Sequence, residues 1–253
     1  MRNADKKEKP LAVAQARRSV YEMLSAYYLE LPDQRMVNSI FDPDFDRRLS
    51  VVASVFETGE TQEGLRLISN FISSFKHESQ EEILRRIAID RTRLFRGISE
   101  KYSPPPPYES CYREQRLRGE TSAEVCRFYS RLGVTLPEAW RESPDYLGIE
   151  IDFMRLLCQS EEEAWLNKQP EKALELLRAS MDFLKDHLLK WAPSFLDKMY
   201  EMADLDFYRG LAKFTSGFLK YDGHLIGEQL EEHATLQPVI NRTNPGVDLI
   251  VKS

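Results

Sequence analysis

Four consecutive prolines occupy residues 104–107 of this 253-residue chain. A proline run has no backbone N–H to offer and each ring locks φ, so the segment is a stiff, extended polyproline II rod. Regular structure has to stop before it and restart after it. On both sides, apolar residues recur at steps of three and four, the signature of helices with one buried face. Val13, Ala16, Val20, Met23, Tyr27 and Leu31 form a stripe that ends before Pro32. Short helices are expected over 33–41 and 44–57. Leu65, Ile68, Ile72 and Phe75 form the next stripe. Ser79 with Glu82 reads as a capping box opening a helix that carries Leu84, Ile87, Arg91, Leu94 and Phe95.

Beyond the rod, Thr121 with Glu124 reads as a second capping box, leading Val125, Phe128 and Leu132 to Gly133. Ser143 followed by Pro144 reads as an N-cap with proline at the first helical position, so a long helix is expected there. Two or three more helices carry the stripes Ala173, Leu177, Leu184, Leu188, Trp191 and Phe207, Leu211, Phe214, Phe218, with an end at 221–223. Val247, Leu249 and Val251 alternate with other residues, but one short strand makes no sheet. The expected fold is all-α, a single globular bundle of about ten helices with a proline-rich central loop. Its expected limits are a disordered lead over 1–9, a helical domain over 10–222 and an irregular tail over 223–253.

Composition narrows the function. The chain is 30% charged and 42% hydrophobic, a balance suited to a soluble helical domain. Its net charge of -6 argues against binding duplex nucleic acid, which needs a basic face. Cys111, Cys126 and Cys158 have no Cys-x-x-Cys spacing, which points to a reducing cytoplasm and away from disulfides or structural zinc. No run approaches 18 apolar residues and the first ten lack an apolar signal core, so neither a membrane span nor a standard export signal is expected. None of His77, His187, His224 and His233 falls in a Glu-x-x-His or His-Glu-x-x-His pattern. Gly59 and Gly64 have the outer spacing of a phosphate loop, but Leu65 and Arg66 stand where Lys and Ser/Thr are needed. A helical chain without these chemistries is expected to be a binding module, with no stably bound metal or cofactor.

Two irregular clusters carry the functional information. Residues 102–112 place Tyr102, Tyr108 and Tyr112 around the prolines. An extended, preordered segment amid helices suits peptide recognition; a rigid connector between helical halves is the alternative. In residues 142–154, Tyr146, Glu150, Phe153 and Leu157 share one helix face. Glu150 therefore stands on an apolar stripe, either at its wet edge or buried with a cationic partner. Asp145 falls where a helix macrodipole favours an anion, which is helix-start chemistry or a partner contact. Gly148 inside the helix implies that something packs closely against it. Between Val134 and Trp165 eight acids face two bases, a local net of -6 equal to that of the whole chain. Glu161, Glu162 and Glu163 read as a solvated helix end, while the other acids offer an electrostatic target to a basic peptide.

The sequence Pro-Pro-Tyr-Glu-Ser-x-Tyr at 106–112, followed by Asp-Tyr-Leu-Gly-x-Glu-x-x-Phe-Met at 145–154, resembles the TorD/DmsD/NarJ family of cytoplasmic chaperones for molybdenum oxidoreductases. Thr92, Arg93, Leu94, Phe95 and Gly97 precede these motifs, and His187, Leu188, Trp191, Pro193 and Phe195 follow in the expected order. The resemblance implies a helical chaperone that binds the twin-arginine signal peptide, the apo catalytic subunit of a molybdopterin oxidoreductase, or both. It implies a partner site at Leu94, Pro106, Pro107, Tyr108, Glu109, Ser110, Asp145 and Tyr146, with Glu150 nearby. Some members are thought to bind guanine nucleotide weakly; the molybdopterin belongs to the partner. Tyr146 stands where the family often has histidine, and Tyr108 where some members have tryptophan. A monomer or a dimer swapped through the proline hinge is expected. The alternatives are a helical enzyme or nucleotide-binding protein using Glu109, Asp145 and Glu150, and a structural adaptor with no groove.

Overall fold

Helix α1 (Arg2–Leu29) buries Val20, Tyr21, Leu24 and Tyr28, the i, i+1, i+4, i+8 pattern of one apolar face. It belongs to a computed structural model that describes residues 2–45, 47, 55–98, 101–136 and 142–236. The chain continues through α2 (Gln34–Ile40), α3 (Gly59–Phe75), α4 (Gln80–Arg96), α5 (Glu109–Arg113), α6 (Glu120–Arg131) and α7 (Leu147–Leu166). Then follow α8 (Pro170–Phe183), a π-helical turn (Leu184–Leu188), α9 (Leu189–Met202) and α10 (Asp206–Leu236). Among the described residues the only β-type pairing is one isolated antiparallel bridge, Tyr108 with Tyr146. The all-α expectation holds. Helix α1 packs along α7, and α3 along α10, where Gly64 and Gly210 let the backbones meet. A Cβ on Gly210 would lie 2.5 Å from the Gly64 carbonyl oxygen. One contiguous core includes Phe153, Phe183, Trp191, Phe195, Phe207 and Tyr208.

Several helix ends differ from expectation, each because another segment supplies the cap. Ser79 accepts from the Glu82 N–H, but the Glu82 side chain turns to Arg85 and Arg86 instead of completing the box. Thr121 lies inside α6, whose first N–H groups, on Glu120 and Thr121, are taken by the Glu114 carboxylate. Ser143 is not a helix cap: α7 begins four residues later, behind Tyr146. Helix α1 includes residues 2–9 of the stretch expected to be a disordered lead, where Lys6, Lys7 and Glu8 are good helix formers. At the other end α10 runs through Gly223 to Leu236, because the fully buried Ile226 holds it against the core. Most of the expected 44–57 helix, residues 237–253 and the alternating stretch at 247–251 lie outside the described residues.

Glu161 is not solvated. It is fully buried with Arg17, whose guanidinium also holds Asp222 at 2.6 Å, and Tyr21 donates to Asp222 at 2.7 Å. These groups tie α1, α7 and α10 together through the core. Gly148 has the expected close neighbour: a Cβ there would lie 2.8 Å from Leu29 Cδ2.

Candidate functional site: the proline segment clamped to the start of α7

The proline rod and the 143–147 turn run side by side because each completes the other's helix start. Glu109 N–H, the first of α5, donates to the Asp145 carbonyl at 2.9 Å. Leu147 N–H, the first of α7, donates to the Pro107 carbonyl at 2.9 Å. Both donors would otherwise be orphans at a helix N-terminus. The Asp145 carboxylate adds a cap in trans: Oδ2 accepts from Ser110 N–H at 2.9 Å, and Oδ1 accepts from the Ser143 hydroxyl, which touches Ser122. The helix start that Asp145 caps is therefore that of α5. Asp145 serves α5, not the helix that follows it in sequence.

Tyrosines fasten the edges. Tyr146 donates to the Tyr28 carbonyl at 2.8 Å, Tyr112 to Pro105 and Tyr129 to Pro144, both at 3.0 Å. The rings of Tyr108 and Tyr146 stand 5.3 Å apart between centroids. Tyr108 donates its hydroxyl to Glu142, an exposed carboxylate. Burial first, and then the hydrogen bond to Glu142 and its charge, hold the Tyr108 hydroxyl well above its usual titration range, so it remains a donor.

Beneath the clamp lies a polar layer. Glu109 is fully buried, with Oε1 on Arg113 at 2.7 Å and Oε2 on His187 Nδ1 at 2.9 Å. The π-helical turn delivers His187 to this contact, an insertion of the kind that re-aims side chains at functional places. Glu150 accepts from Trp191 Nε1 at 3.0 Å, and its other oxygen has no hydrogen-bond partner among the described residues. Burial, then the charge of Glu109, push the Glu150 carboxyl well above the usual carboxylate range; the Trp191 bond opposes them. Glu150 is thus buried as the sequence allowed, but its partner is an indole, not a cation.

Of the residues singled out from the sequence, Pro106 and Tyr108 reach the surface. Leu94, Pro107, Glu109, Ser110, Asp145, Tyr146 and Glu150 are buried in the frame beneath them. The carboxylates of Asp145 and Glu150 consequently do not form an open acidic face. The exposed carboxylate beside Tyr108 is Glu142, one of the acids expected to offer a basic peptide an electrostatic target. A groove of about 600 Å³ borders it, lined by Ser122, Cys126, Arg118, Arg127 and Pro144. His187 and Trp191 were legible as part of the motif order, but not as the partners of Glu109 and Glu150.

Glu109, Asp145 and Glu150 are each fully buried, so none of them faces solvent as an enzyme site would require. Burial raises the neighbouring Cys111 thiol to about 11, which leaves it un-ionised and a poor nucleophile. Among the described residues no cluster of three or more His, Cys, Asp or Glu side chains could hold a metal ion. No described helix is long and apolar enough to cross a membrane.

Fold and site define a class: an all-helical protein whose partly buried irregular segment is tied to the start of α7 by a buried carboxylate. The family model described as nitrate reductase delta subunit matches residues 40–197, a span that contains the whole clamp. The chain belongs to this family, the TorD/NarJ group of chaperones, and not to a class of enzymes. It is 25% identical over 221 residues to the chaperone protein TorD of Vibrio cholerae, covering 85% of this chain and 94% of that one. It is 32% identical over 126 residues to the selenate reductase assembly chaperone protein of Thauera selenatis, covering 50% of this chain and 58% of that one. The chlorate reductase assembly chaperone protein of Ideonella dechloratans is 31% identical over the same length, with the same coverage.

Proposed function

We propose that this protein binds the catalytic subunit of a molybdopterin-containing oxidoreductase in the cytoplasm and holds it until its cofactor is installed. The relatives named as reductase assembly chaperones support the partner class. We further assign the surface of Pro106, Tyr108 and Glu142 as the place that receives the partner's twin-arginine signal. The observation that carries this assignment is the pairing of a half-buried aromatic ring with an exposed carboxylate on a rod that buried groups keep rigid. A guanidinium would take the Glu142 carboxylate, and the apolar stretch behind it would lie along the prolines. Preordering reduces the entropy lost on binding. The protein itself carries no cofactor in this reading; molybdopterin enters the partner.

The test is titration with a fluorescent peptide bearing two adjacent arginines and an apolar stretch. Tyr108→Ala and Glu142→Gln should each weaken binding about tenfold with little change in melting. Asp145→Asn should instead lower stability by about 1–3 kcal/mol, since it loosens the cap on α5. Unchanged affinity in both Tyr108→Ala and Glu142→Gln sinks the surface assignment. Failure to recover an oxidoreductase subunit on the full-length protein from its native cytoplasm sinks the partner class.

A further inference from the structure

Helix α5 has only five residues, too few to persist on its own backbone hydrogen bonds, so what keeps it in place is tertiary. The Asp145 clamp secures its first turn. Its second attachment is the fully buried side chain of Glu109. The Glu109 oxygens meet Arg113 and His187, and the fully buried Glu150 carboxyl of α7 lies within hydrogen-bonding reach of the same side chain. One Glu150 oxygen accepts from the Trp191 indole, while Oε1 has no donor among the described residues. An acceptor left bare in a core is something native folds rarely tolerate. Two ionised carboxylates so close also repel each other, and the nearest guanidinium, Arg113, is divided between Glu109 and Glu124. One proton held between the two carboxyls answers both problems, because it turns a repulsive contact into a charge-assisted O–H···O bond.

We propose that Glu150 is a positioning residue: its carboxyl shares one proton with Glu109, and this bond fastens α5, and with it the Pro106–Tyr108 rod, to α7. The proton belongs to the pair rather than to either residue. Glu150 touches no partner in this scheme; it acts through Glu109 on the segment that presents Tyr108. The effect on partner binding rests on the assignment of Tyr108 and Glu142 as the receiving surface, whereas the shared proton does not. The charged and titratable groups around the pair are Arg113 on α5, Asp145 ahead of α7, Tyr129 on α6 and His187 on the π-helical turn. Burial and the charge of Glu109 displace the Glu150 titration upward, so the bond is present below that displaced value and is lost as pH rises through it.

Three readouts on the full-length protein test the inference. At neutral pH the infrared difference between the parent and Glu150→Gln should contain the carbonyl stretch of a protonated carboxyl, and Glu109→Gln should shift that band. Its absence, or a band that Glu109→Gln leaves in place, overturns the shared proton. Hydrogen exchange, corrected for the intrinsic pH dependence of amides, reads the clamp through the Glu109, Ser110 and Leu147 N–H groups. Glu150→Gln, whose amide can donate to Glu109 in place of the proton, should protect them as the parent does and continue to do so as pH is raised above neutrality, where the parent loses protection. Any titration of Arg113, Asp145, Tyr129 or His187 occurs in both proteins, so their difference isolates the Glu150 proton. Glu150→Met should cut protection at these amides at least about tenfold while the core of α10 stays protected. Parent and Glu150→Gln falling together with pH overturns the proposal, and that comparison stands even if Glu150→Met does not fold. A fluorescent peptide with two adjacent arginines should bind Glu150→Gln as it binds the parent and Glu150→Met about tenfold more weakly. Equal affinity for a folded Glu150→Met removes Glu150 from the positioning role. If the parent itself ignores the peptide, the Tyr108 assignment fails, and the infrared and exchange results still decide the proton.

Discussion

Asp145 and Glu150 show how a charged residue on an apolar stripe should be read. An unpaired carboxylate in a core is too costly to persist, so each had to find a partner or lose its charge. Asp145 finds the Ser110 N–H and the Ser143 hydroxyl. Glu150 finds Trp191 on one oxygen only, and burial together with the charge of Glu109 pushes its carboxyl above the usual carboxylate range. Because the folded value is raised, its contribution to stability is full below the ordinary glutamate range and is lost as pH rises through the folded value. Glu150→Gln removes that loss. The variant should melt higher than the parent at neutral pH, with the difference vanishing near pH 4. Thermal melts across this range check it, and a difference that does not vary with pH would mean Glu150 is ionised in the fold.

At the scale of elements, helix existence was legible and helix ends were not. The stripes on α1, α3, α4, α8 and α10 come from repeating apolar positions, which the local chain controls. Ends depend on what else can cap them. Glu114 replaced the expected cap of α6, and the trans contacts of the clamp moved the start of α7 from Ser143 to Tyr146. The stripe from Ala173 to Trp191 hides the π-helical turn, because every stripe position remains buried on either side of the extra residue. Helix α10 outlasts its glycines because Ile226 is fully buried. Ile226→Ala should therefore cost about 2–4 kcal/mol, read from chemical denaturation. A loss within a few tenths would restore the view that the helix ends near Gly223.

Across the whole molecule, Arg17, Glu161 and Asp222 join three helices distant in sequence. Burial pushes the Glu161 carboxyl up even though Arg17 opposes the shift, so the cluster is held at a desolvation cost. Arg17→Met strands two buried acids and should destabilise the fold by about 3–5 kcal/mol. Adding Glu161→Gln and Asp222→Asn should recover much of that loss. A triple variant as unstable as the single one would show that packing, not charge, accounts for the effect.

The sequence by itself determined that this chain is helical, that residues 104–107 interrupt it, and that its informative residues lie at the interruption and at 142–154. Those properties depend on local backbone chemistry and apolar periodicity, which neighbouring residues set. Only the tertiary structure decided that Asp145 caps a helix before it in sequence, that Glu109 faces His187, and that Glu142 is the carboxylate left at the surface. Each of these depends on which distant backbone groups lack a partner when the helices pack. A linear pattern of side chains carries no record of that pairing.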